Sequence, residues 1–67
     1  MHKIESLIPI LISKLKYKSP DIRKASILSL MQLNVNKAIE PLKEILKIEE
    51  EENIKKIVEL AIKKIDP

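Results

Sequence analysis

The chain repeats itself. Ile22-Arg23-Lys24 recurs as Ile54-Lys55-Lys56, and at the same spacing Leu28, Leu30 and Leu33 fall on Leu60, Ile62 and Ile65. In the preceding segments Ile8, Leu11, Leu15 and Lys16 fall on Ile39, Leu42, Leu46 and Lys47 at a spacing one residue shorter, and the difference belongs to the turn. A unit of about 32 residues that returns in this way is a supersecondary element that cannot bury its own apolar side and must lay it against its copy. The fold is therefore restricted to a stack of two such units.

Each unit reads as two helices. Between Lys3 and Lys16, Ile4, Leu7, Ile8, Leu11, Ile12 and Leu15 share an arc of roughly 140°, the stripe of a core-facing helix, with Ile10 and Tyr17 outside it. Pro9 removes one intrahelical hydrogen bond, so it either kinks this helix or marks a later start. Ser19-Pro20-Asp21 opens the second helix with an N-cap, a proline at the first position and a carboxylate in the first turn. From Pro20 to Leu33 the apolar residues Ile22, Ala25, Ile27, Leu28, Leu30, Met31 and Leu33 point almost everywhere, which predicts a helix surrounded by others, and the small Ala25, Ser26 and Ser29 would let a neighbour approach.

The chain has no glycine, so the break at Asn34-Val35-Asn36 must rely on asparagine for any left-handed residue. A third helix spans Lys37 to Ile48 with Ala38, Ile39, Leu42, Ile45 and Leu46 on one face and Glu40, Lys43, Glu44 and Lys47 on the other. Glu49 to Glu52 reads as a connector that also places carboxylates at the start of the fourth helix, where the dipole favours them. That helix runs from Glu51 to Ile65, with Ile54, Ile57, Val58, Ala61, Ile62 and Ile65 inward and Lys63 and Lys64 in its last turn. The expected architecture is all-α, a four-helix solenoid of two hairpins in one domain over residues 1–67, with repeat 1 at about 3–33, repeat 2 at about 37–65 and the shared core around the second helix.

Size sets an energetic limit. Surface scaling gives a chain this long about 4,300 Å² folded and about 11,000 Å² unfolded. If about 60% of the difference is apolar, burial contributes on the order of 100 kcal/mol at about 25 cal/mol per Å². Ordering 67 residues at about 1.5 kcal/mol each costs nearly the same. No cysteine is present to form a disulfide or bind a metal. Dense packing of its thirteen Ile and nine Leu, or association with a partner or a second copy, is expected to supply the margin.

Catalysis finds no support. His2 stands alone beside the first residue, short of the three or four ligands that zinc needs. Glu5, Glu40, Glu44 and Glu59 fall on predicted exposed faces, whereas acid–base work needs a carboxylate held in a cleft. Ser13, Ser26 and Ser29 have neither a histidine nor a glycine elbow beside them. No phosphate-cradling loop can form without glycine. Neither enzymatic activity, a metal, a cofactor nor a small-molecule substrate is expected. No apolar run reaches the roughly 18 residues of a membrane span, nor does a signal segment stand out, and the absence of cysteine fits a cytoplasmic origin. The bias toward Lys, Glu and Ile is similar to thermophile composition.

The run Ile8-Pro9-Ile10-Leu11 to Leu15, then Ser19-Pro20-Asp21-Ile22-Arg23-Lys24-Ala25, then Leu28 and Leu30, resembles a HEAT repeat of the short type first named for phycobilisome lyases. The match is close from Leu7 to Leu33. From Ala38 to Ile65 the apolar frame persists, but the turn is glutamate-rich, Lys55 replaces the arginine and Ile57 the alanine. Tetratricopeptide repeats want a large aromatic and a Gly-x-x-Tyr that are missing, and armadillo units carry a third helix. The His-Glu pairs of HEAT-like iron hydroxylases are absent as well.

The resemblance implies that the second helices line a concave surface, so Arg23, Lys24, Lys55, Lys56 and Lys63 form a candidate basic binding face. It also implies that Arg23 pairs with an acid of its turn, for which Asp21 is at hand. The expected function is a non-catalytic protein-interaction scaffold or small adaptor that self-associates through the open ends of the stack. The alternative is binding to nucleic-acid backbone, as HEAT-like DNA glycosylases do. Its phosphate contacts would be salt-dependent and sequence-independent, but the net charge is only +3 and base-stacking aromatics are lacking.

Overall fold

The computed structural model describes residues 4–66. Helices α1 (Ile4–Lys14), α2 (Pro20–Leu33), α3 (Ile39–Ile48) and α4 (Glu52–Ile65) follow one another, with a short 3-10 turn at Asn36–Ala38 leading into α3. The all-α pair of hairpins is thus present. Its boundaries differ slightly from the sequence expectation: α1 stops at Lys14 rather than Lys16, α3 begins after the 3-10 turn, and α4 begins at Glu52. Pro9 lies inside α1, so the helix starts well before the proline. His2 lies outside the described residues.

The punctuation follows side-chain chemistry. Ser19 is extended (φ −70°, ψ 118°) and its hydroxyl accepts the Ile22 N–H at 3.4 Å, while Pro20 opens α2 without needing the donor it lacks. Asn34 ends α2 in the left-handed region (φ 56°, ψ 51°) and its N–H donates to the Leu30 and Met31 carbonyls. Asparagine thus performs the glycine role.

In spatial order the helices run α1, α2, α4, α3. α2 makes its most extensive contact with α4, which also packs on α3, and α1 leans on α2. The first helices α1 and α3 splay apart, leaving a groove of about 410 Å³ lined by Ile12, Ser13 and Lys16 on one side and Glu40, Pro41 and Glu44 on the other.

The core corrects the expectation that it centres on α2. Its buried apolar residues are Leu15, Ile27, Leu30, Val35, Ala38, Leu42, Ile45, Ile54, Val58, Ala61 and Ile65, most of them from repeat 2. α2 is not surrounded: Ile22, Ala25, Leu28 and Leu33 are exposed. The short two-unit stack covers only two of its sides, so an all-round apolar pattern is left partly in solvent. Leu7, assigned to the inward stripe of α1, is 49% exposed for the same reason, since no other described helix covers that flank. The inward sets of α3 and α4 are placed as expected, as are the outward Ile10 and Tyr17.

Candidate functional site

The five basic residues of the predicted binding face do not share one environment. Lys24 and Lys56 stand exposed on α2 and α4, and Lys63 is exposed in the last turn of α4. Lys55 is half-buried, and its ammonium lies 3.4 Å from Glu52 one turn earlier. Arg23 is largely withdrawn from solvent, with a side chain only 16% exposed.

Arg23 does not pair with Asp21. Its Nε donates to Glu49 Oε1 and its Nη2 to Glu49 Oε2, both at 3.0 Å. Its Nη1 donates to the Tyr17 and Lys18 carbonyls at 2.8 and 2.9 Å. The fork geometry of guanidinium suits this two-pronged contact. Asp21 sits at the exposed start of α2. The turn of the other repeat presents an acid to the inner side of α2, and a longer reach satisfies both ends. Glu49, in the connector ahead of α4, is buried, and its Oε2 also accepts the Glu51 N–H at 3.1 Å. The pair therefore fastens the turn of repeat 1 to the turn of repeat 2 and is structural.

With Arg23 removed from the site, the outer surface of α2 and α4 shows a pattern that charge alone did not reveal. Leu28 lies one turn after Lys24, and Leu60 one turn after Lys56, at repeat-equivalent positions. Leu28 is 38% exposed and Leu60 60% exposed. The repeat aligns these leucines with each other within its apolar frame. A 100° step per residue places both on the solvent side with their lysines, which is the signal that could have found them. The resulting ridge is Lys-Leu on one helix beside Lys-Leu on the next.

The remaining chemistry is sparse. Lys14 extends its ammonium over the Tyr17 ring, 5.9 Å from the centroid, within reach of a cation–π contact. The Ser13 and Ser26 hydroxyls donate to the Ile10 and Ile22 carbonyls of their own helices. Among the described residues no group of three or more His, Asp or Glu could hold a metal ion, and no helix is long and apolar enough to cross a membrane.

No curated protein and no solved structure matches the chain. A family model for HEAT repeats matches residues 2–63. Two stacked helical hairpins, second helices packed together and a Ser-Pro-Asp turn opening α2 agree with that match, and the chain belongs to the HEAT repeat family.

Proposed function

We propose that this chain is a non-catalytic protein-interaction scaffold that self-associates and that holds its partner on the ridge of α2 and α4. HEAT repeats generally serve as protein-interaction scaffolds. The observation that carries the finer reading is the repeated pairing of Lys24 with the exposed Leu28 and of Lys56 with the exposed Leu60. Packed helices lie about 8–10 Å apart. A partner helix with leucines seven positions apart spans about 10.5 Å, so one leucine could rest on each ridge while its carboxylates meet the lysines. The partner chemistry is thus an acidic amphipathic segment. Nucleic-acid backbone fits less well, because Arg23 is engaged with Glu49, Lys55 lies beside Glu52, and two leucines occupy the middle of the surface.

The test is fluorescence anisotropy with a designed helical peptide carrying leucines at a seven-residue spacing flanked by glutamates. We expect binding that weakens about tenfold in Leu28→Ser/Leu60→Ser and that is lost when the peptide glutamates become lysines. Generic duplex DNA is the competing probe. If duplex binds while the acidic peptide does not, and the leucine changes leave duplex binding intact, the chain is a backbone binder instead.

A further inference from the structure

The two ends of the stack differ in chemistry. On α2, Arg23, Ile27 and Leu30 turn toward repeat 2, while Ile22, Ala25, Ser29 and Leu33 lie about 130° further round the helix. On α1, Ile12, Ser13 and Lys16 line the groove against α3, while Leu7 and Ile10 lie about 140° away. The latter groups form the outer end of repeat 1. This end carries Leu7, Ile10, Leu11, Ile22, Ala25 and Ser29, with Lys14 beside them on α1. Ala25 and Ser29 are one turn apart and small.

The outer end of repeat 2 follows from the repeat equivalence. The residues that turn repeat 1 toward repeat 2, Ile12, Ser13, Lys16, Arg23, Ile27, Leu30 and Met31, correspond to Lys43, Glu44, Lys47, Lys55, Glu59, Ile62 and Lys63. All but Ile62 are charged, and all but Lys55 and Ile62 are exposed. A polar outer face is what a terminal repeat needs to remain soluble. Repeat 2 has one and repeat 1 does not.

We infer that two copies of this chain pair head to head through the outer end of repeat 1, with α2 of one copy against α2 of the other about a two-fold axis near Ala25. This rests on the reading of the chain as a self-associating scaffold, and the charges choose the arrangement. Head-to-tail stacking would press the apolar end onto Lys43, Glu44, Lys47, Lys55, Glu59 and Lys63, burying four cations and two anions against apolar side chains. The two-fold arrangement is self-complementary and sets apolar surface on apolar surface. Ala25 and Ser29 allow the helix axes to approach closely. The face is small, α2 being about 21 Å long, so the dimer belongs at the low end of interface size with micromolar dissociation.

Because the chain has no cysteine, single substitutions report single contacts. Under mild oxidation at submillimolar protein, Ala25→Cys is expected to cross-link to itself, and Lys63→Cys is not. Sedimentation from low micromolar to millimolar protein should show a monomer–dimer equilibrium, weakened at least about tenfold by Ala25→Glu. A mixed Ala25→Cys with Lys63→Cys disulfide, or growth past dimer, would establish head-to-tail stacking and overturn the proposal. A monomer throughout, with no cross-link, would overturn it too. Peptide binding by Leu7→Ser separates the two readings: Leu7 belongs to the outer end on α1 and not to the ridge, so that variant should weaken the dimer yet bind the acidic helix as the unsubstituted chain does.

Discussion

The guanidinium of Arg23 and the carboxylate of Glu49 meet in two parallel hydrogen bonds of 3.0 Å across 26 residues of chain. One partner caps the end of repeat 1's turn, through the Tyr17 and Lys18 carbonyls, and the other orders the approach to α4. Both side chains are largely removed from water, Glu49 at 4% exposure. Glu49→Ala would leave a poorly solvated cation without its counter-charge and should cost about 3 kcal/mol. For a chain this short that is a fall in melting temperature of about 15 °C by calorimetry. Replacing both residues, Arg23→Met with Glu49→Leu, should cost less than either single loss. An additive double variant would show that the two residues act independently.

Asn34 is the single described residue with positive φ. Asn34→Gly should leave stability within about 0.5 kcal/mol, while Asn34→Ala should lower it by about 1 kcal/mol, because a Cβ is strained in the left-handed region and alanine lacks the local polar compensation. Urea midpoints of the two variants provide the check. Equal midpoints would mean the turn rearranges.

Pro9 interrupts α1 on an exposed position. Pro9→Ala restores one backbone donor and removes the clash with the preceding turn, so it should raise stability by about 1–3 kcal/mol, measured by denaturant unfolding. A destabilised variant would mean that α1 needs its bend to lie on α2.

Leu30 and Val58 are fully buried on α2 and α4, the pair of helices in widest contact. Leu30→Ala should cost about 3 kcal/mol, and Val58→Ala somewhat less. In contrast, Leu60→Ser on the ridge should change stability by less than about 0.5 kcal/mol while weakening partner binding. Paired melting and anisotropy measurements separate the two classes.

The helix positions were legible because period, cap and turn residues agreed: Ser19, Pro20 and Asn34 each do what their chemistry suggests. The inward faces of α3 and α4 were legible too, since Leu42, Ile45, Ile54 and Val58 stand on one stripe with charge opposite. Burial on α1 and α2 was not. Leu7, Ile22 and Leu28 have the residue type and spacing of core positions, and only the number of neighbouring helices decides whether they are covered. Of the candidate basic residues, Lys24 and Lys56 were legible as exposed cations, but the engagement of Arg23 was not. Its partner lies in the other repeat, where no local spacing rule connects position 23 to position 49.

Among the described side chains of α1 none is fully buried, since Leu15 follows its last residue and Ile8, Leu11 and Ile12 are only half-covered. Its amide protons should therefore exchange with solvent deuterium through a local opening of lower free energy than the one that frees α4. That makes the first helix a fraying edge on an otherwise cooperative body. Any contact that closes over the end of repeat 1 would be read most sensitively as slowed exchange along α1, before any change in melting temperature is seen.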